Sequence, residues 1–131
     1  MDKTVGLEDI HRDVAPGGRR SEVVETGEFL KRAKPLMSDW KRAELVAFVG
    51  ANPEVGEIIP ESGGVRKIRW ALQGTGKRGG ARAIYYYHNE RLPVFLLSAY
   101  TKNRKANLSK AERNAMKRLV PALVAGYRRK A

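Results

Sequence analysis

The segment Pro93–Ala99, PVFLLSA, is apolar at almost every position, and no other feature restricts the fold as much. A half-exposed strand alternates apolar with polar residues, whereas a short unbroken apolar run fits a strand covered on both faces. Just before it, Arg82–His88 is rich in β-formers (Ile84, Tyr85, Tyr86, Tyr87), and Asn89–Leu92 is a short polar turn. The two runs are therefore predicted to pair as a hairpin. Val65–Leu72 adds a third strand with clean alternation, placing Ile68, Trp70 and Leu72 on one face and Lys67 and Arg69 on the other. Burying Ile68 and Trp70 sets two cations side by side on the opposite face.

Helices flank this unit. Val23–Glu25 is predicted as a short first strand, and Thr26 as the N-cap of a short helix that carries Phe29, Leu30 and Ala33 inward and stops at Pro35. Ser38 caps a second helix with Asp39 in its first turn and Gly50 as its stop. Trp40, Ala43, Ala47 and Phe48 form its apolar stripe, widened by Leu45, Val46 and Val49. Asn52–Gly64 reads as loop. At the other end, Ser109 and Glu112 make a capping-box pattern. Met116, Leu119, Val120, Leu123, Val124 and Tyr127 then keep helical spacing across Pro121, which is expected to kink or split the helix. Residues 1–21 end in a Pro-Gly-Gly-Arg-Arg cluster and are expected to be a flexible extension, leaving 22–131 as one domain. The predicted class is α+β: an N-terminal helical hairpin on a small, mainly antiparallel sheet of three to four strands, with a C-terminal helix.

Charge is distributed unevenly. The chain carries a formal net charge of +12. Residues 62–105 hold ten cations against Glu90, and 106–131 hold seven against Glu112, while residues 1–61 are slightly acidic. Cations crowded onto one small sheet repel one another unless something anionic sits there, so a polyanionic partner is expected. The absence of cysteine rules out disulfides, thiolate metal sites and cysteine nucleophiles. His11 and His88 are too few and too isolated for a zinc site, and no cofactor is expected. No apolar run approaches the ~20 residues of a membrane span, and residues 1–21 lack a signal-peptide core. A cytoplasmic protein without membrane contacts is expected.

Gly74–Gly79, GTGKRG, matches G-x-G-x-x-G literally, but a strand follows it where a dinucleotide site needs a helix. It reads as a basic hairpin loop able to touch a phosphate backbone. Tyr85 and Tyr87 point to one face of their strand and Tyr86 to the other. A tyrosine beside the cations is placed to stack a base, one on the other face to pack a core. The acids lie mostly in the N-terminal half without D-x-D or paired carboxylates, which disfavours a two-metal nuclease. RNA cleavage by side chains alone needs cations on the scissile phosphate, a group to take the 2′-hydroxyl proton and another to protonate the leaving oxygen.

The runs GGVRKIRW, GGARAIYYYH and PVFLLSAYTKNRKANLSKAE together resemble the RelE-type toxins of bacterial toxin–antitoxin pairs, and most of all their HigB-like branch. The resemblance covers about residues 22–120. It implies a microbial RNase fold and metal-independent endonucleolytic cleavage of mRNA in the ribosomal A site. It also implies neutralisation by a small antitoxin, usually a helix-turn-helix DNA-binding protein in this branch. Carried over position by position, the family's catalytic cations fall on Lys67, Arg69, Arg82 and Lys102. Arg69, Arg82 and Lys102 would hold the phosphate while Lys67 assists proton transfer. Arg66, Lys77, Arg78, Tyr87, His88, Tyr100, Asn103, Arg104 and Lys105 are candidate RNA contacts. Where some members carry a tyrosine near the C-terminal end of the site, this chain has Leu108. The general base is thereby left open among Tyr100, Tyr87, His88 and Lys67. Two other functions fit the composition: a ParE-like toxin that inhibits DNA gyrase without cutting RNA, and a plain basic RNA-binding module.

Overall fold

The computed structural model describes residues 21–72, 80–102, 104–105 and 107–130. Residues 1–20 of the extension expected over 1–21, and Lys77, Arg78 and Asn103, lie outside the described residues. The elements run β1 (Val23–Glu25), α1 (Gly27–Ala33), α2 (Asp39–Ala51), β2 (Glu57–Ile58), β3 (Arg66–Trp70), β4 (Ala81–Tyr86), β5 (Val94–Thr101) and α3 (Lys110–Lys130). The strands form one mixed sheet in the order β1-β5-β4-β3-β2, with β1 parallel to β5 and the other neighbours antiparallel.

The predicted α+β architecture holds, with differences that have physical reasons. The sheet has five strands instead of three or four because β2, only two residues long, falls in a stretch too short to show a period of two. It lies in the Asn52–Gly64 segment read as loop. Helix α2 runs past Gly50 to Ala51 and is closed by Asn52, whose backbone and side-chain amides both donate to the Phe48 carbonyl. Its buried side chains are Leu45, Val49 and Ala51, whereas Ala43 is exposed. Pro121 does not split α3, which is assigned as one helix from Lys110 to Lys130. The prolyl residue is exposed, and Val120 before it and Leu123 after it pack against the sheet.

Both faces of β5 are covered, as its apolar run requires. One layer packs Phe29, Ala33, Leu45 and Val49 of α1 and α2 on Ala81, Ala83, Tyr85, Val94, Leu96 and Ala99, with Ile68 and Trp70 at its margin. The other packs Val120 of α3, with Met116, Leu123 and Tyr127, on Ile84, Phe95, Leu97 and Tyr100. Phe95 and Tyr127 meet edge to face, ring centroids 5.6 Å apart. Trp70 fastens β3 to α2: its indole N–H donates to the Lys41 carbonyl at 3.2 Å and its ring lies 5.5 Å from that of Phe48. The β4–β5 register slips by one residue beyond Ile84, leaving Leu97 as the extra residue of a bulge.

Thr26 joins helix and sheet through one oxygen. Its Oγ1 accepts from the Phe29 amide at 3.2 Å and donates to the Leu96 carbonyl at 2.8 Å. Thr26→Ala is expected to destabilise the fold by about 1–2 kcal/mol, while Thr26→Ser, which keeps the oxygen, costs less. Urea denaturation of the three proteins measures this; equal midpoints would show that the cap carries no stability.

Candidate active site

The pairing of β3 with β4 fixes the site. Arg69 and Arg82 are direct cross-strand partners, so their side chains leave the same face, and Lys67, two residues from Arg69, joins them there. Like charges opposite one another destabilise a sheet. Arg82 is also buried, at 8% exposure, and is the one buried charged side chain among the described residues. Its only described hydrogen bond is a long one, 3.5 Å, to the Ala81 carbonyl, and no described carboxylate pairs with it. A guanidinium withdrawn from water beside a second one is costly unless an anion completes it.

Around these groups lies a cleft of about 620 Å³ lined by Phe48, Val55, Glu57, Lys67, Ile68, Arg69, Arg82, Lys102 and Asn107. The four cations singled out in the sequence, Lys67, Arg69, Arg82 and Lys102, thus share one cavity. Lys102 reaches it from the end of β5, just where the pairing with β4 stops. Lys67 donates from Nζ to Asn107 Oδ1 at 3.3 Å, tying β3 to the segment that enters α3.

Other candidates lie elsewhere. Arg66 spends its Nη1 on the Glu54 and Gly56 carbonyls, at 2.9 and 2.8 Å, and so braces a loop. Tyr87 packs with the core under α1 and α2, on the far face of the sheet, where burial pushes its phenol pKa up. His88 lies past the other end of β4, with Nδ1 2.9 Å from the Tyr86 hydroxyl and Nε2 3.2 Å from an Arg128 nitrogen. Arg104 is exposed outside the cleft lining. Tyr100 and Lys105 sit together beside Arg82: the two strand residues are register partners, and Lys105 Nζ lies 4.9 Å from the Tyr100 ring centroid. Leu108, where a tyrosine stands in some RelE-type toxins, is buried.

Two polar cleft residues escaped the sequence reading. Glu57 pairs with Lys67 across β2 and β3, which brings an exposed carboxylate into a cavity whose other charged groups are all cations. Asn107 holds Lys67. Neither carries a local motif; only the register of a two-residue strand puts Glu57 there. The loop that delivers Glu57 is fixed twice. The buried Tyr85 hydroxyl accepts from the Gly56 amide at 2.8 Å and donates to the Pro53 carbonyl at 2.9 Å, and Arg66 clamps it from the edge. Among the described residues no three His, Cys, Asp or Glu side chains converge as a metal site, and no helix is long and apolar enough to cross a membrane.

The cavity offers four cations, one carboxylate and an apolar wall of Phe48 and Val55. Such a set has the groups needed to hold a phosphodiester and to move a proton at it. A family model described as the RelE toxin of the RelE/RelB toxin–antitoxin system matches residues 37–130, a span that runs from the turn before α2 to the end of α3 and contains every residue lining the cleft. With the fold and the match in agreement, the chain belongs to the RelE family, the toxin halves of toxin–antitoxin pairs.

Proposed function

We propose that this toxin is an endoribonuclease that cuts mRNA in the ribosomal A site, needs no metal, and is held inactive by a cognate antitoxin, a helix-turn-helix DNA-binding protein of the HigB-associated kind. The observation that carries the reading is Arg82: a buried guanidinium, unpaired by any described acid, beside Arg69 in a cleft open to solvent. A gyrase inhibitor has no use for a phosphate-holding cavity of this kind.

In the reaction the 2′-oxygen attacks the adjacent phosphorus and the bond to the 5′-oxygen breaks, leaving a 2′,3′-cyclic phosphate and a free 5′-hydroxyl. Arg69, Arg82 and Lys102 neutralise the non-bridging oxygens, whose charge grows in the transition state. Glu57 takes the 2′-hydroxyl proton and Lys67, its cross-strand partner, gives one to the departing 5′-oxygen. Phe48 and Val55 supply the apolar wall on which a base can rest.

The test is to induce the protein in a bacterium and map mRNA 5′ ends on translated and untranslated copies of one transcript. Cuts confined to the translated copy are expected, and on purified ribosomes kept at the Mg²⁺ they need, toxin treated beforehand with EDTA and desalted should cut at the untreated rate. Growth arrest without cuts would move the assignment to gyrase, and neither arrest nor cuts would leave an RNA-binding module. Glu57→Gln is expected to slow single-turnover cutting by ~10²–10⁴-fold while RNA affinity holds; a wild-type rate would remove the carboxylate from the mechanism.

A further inference from the structure

Tyr100 is 7% exposed, and its hydroxyl, closed off from solvent, has no hydrogen-bond partner among the described residues. Leaving such a group unpaired costs about 1–3 kcal/mol, and buried polar groups in folded proteins are paired with few exceptions. Its position suggests a reason. Tyr100 is the register partner of Arg82, so both side chains leave the face of the sheet that carries the cleft. Burial pushes the phenol pKa up, against the pull of the Arg82 guanidinium, so the hydroxyl stays protonated and remains a donor at neutral pH.

What covers this tyrosine is itself charged. Lys105 lies over the ring and is ion-paired with Glu112. Glu112 is set by a reciprocal cap: its Oε1 accepts from the Ser109 amide at 2.8 Å, and its own amide donates to Ser109 Oγ at 3.1 Å. Burial raises the Glu112 pKa, but the bonds from Lys105 and the Ser109 amide outweigh it and hold the carboxyl below its usual range. The pair is partly exposed, with side chains 31% and 38% accessible, and ion pairs of that kind are weak.

We propose that the Tyr100 hydroxyl donates a hydrogen bond to the RNA phosphate held by Arg82, and that the Lys105–Glu112 pair is a latch over it which RNA opens by drawing Lys105 onto its backbone. This rests on the nuclease reading of the cleft. Lys105 exchanges one anion for another, so opening costs little, and the hydroxyl gains the acceptor it lacks in the free protein. Stability withheld from the free state is recovered only with RNA in place.

Tyr100→Phe removes one oxygen and keeps the ring under Lys105. It is expected to melt at or above the wild-type temperature and to cut ribosome-bound mRNA roughly 10- to 100-fold more slowly, the loss of a hydrogen bond to a charged group. Wild-type cutting by Tyr100→Phe, or a lowered melting point with cutting intact, would overturn the proposal. Wild-type protein that neither cuts translated mRNA nor binds a 2′-O-methyl RNA would instead sink the reading of the cleft itself. The latch has a readout independent of activity. Glu112→Gln keeps the capping box, which glutamine also serves, but removes the charge that holds Lys105. Nitration of Tyr100 by tetranitromethane in the free protein is expected to rise several-fold in this variant, and an unchanged rate would refute the latch.

Discussion

Arg82→Ala is expected to reduce cutting of translated mRNA by about 10²–10³-fold, the scale seen when one preorganised donor to a developing oxyanion is lost. The same change should leave the melting temperature unchanged or raise it. Removing a buried, hydrogen-bonded arginine usually destabilises a protein, because packing is lost and a partner is left bare. Here no described carboxylate would be orphaned, and the variant relieves the repulsion between Arg82 and its cross-strand neighbour Arg69. Activity and stability therefore part company at this residue, as they do where a site is built at the expense of the fold. Arg82→Lys keeps the charge but loses the planar fork that grips two phosphate oxygens, so it should fall between the two. Rates by primer extension on ribosome-bound transcripts, and midpoints by thermal denaturation, decide the matter. If Arg82→Ala cut at the wild-type rate, the cleft would not be the active site; if it melted much lower, Arg82 would be a structural residue after all.

The sheet was legible because its signals are local and strong. A short apolar run after a turn fits a covered strand, the alternation in Arg66–Trp70 assigns a face to each residue, and Thr26 and Ser38 announce their helices. Lys67 and Arg69 follow from the same alternation, and Arg82 and Lys102 from the family resemblance. What stayed hidden depends on register and on contacts between distant segments. Glu57 enters the cavity through a two-residue strand paired with β3, and no window of sequence reports that pairing. Tyr87 counted as an RNA contact because it adjoins the basic unit in sequence, yet the period of two carries it to the helix-covered face. Arg66 looked like one more cation for a polyanion, and it binds two backbone carbonyls of its own loop. Nor does composition say that a lysine will lie over the ring of Tyr100 or that its hydroxyl will be closed off from solvent. Charge density singled out the cations that line the cleft, while the contacts around them are visible only in the tertiary structure.

Gly56→Ala should be the most damaging small substitution in the loop that carries Glu57. A β-carbon there would fall 2.7 Å from the Tyr85 hydroxyl oxygen, 2.8 Å from its Cε1 and 2.9 Å from Ile68 Cγ2, all inside normal contact. None of these atoms can easily give way. Tyr85 is fully buried, and its hydroxyl is committed on both sides, to the Gly56 amide and the Pro53 carbonyl. The loop must move instead, straining the Arg66 clamp and pulling Glu57 out of line with Lys67. The expected loss is about 1–3 kcal/mol, as for other overpacked sites, which lowers the melting point by roughly 3–5 °C per kcal/mol in a chain of this size. Cutting should fall even at temperatures where the variant is folded, because its cause is the displaced carboxylate rather than the unfolded fraction. Gly27→Ala makes the same chemical change where an added β-carbon meets nothing within 4 Å. In that helix alanine is expected to be neutral or to stabilise by ~0.4–1 kcal/mol through the unfolded chain. The opposite signs of the two substitutions isolate the contact with Tyr85 from any general effect of glycine. Should Gly56→Ala match Gly27→Ala in both stability and rate, the loop would be free to yield, and Glu57 would owe its place in the cleft to its pairing with β3 alone.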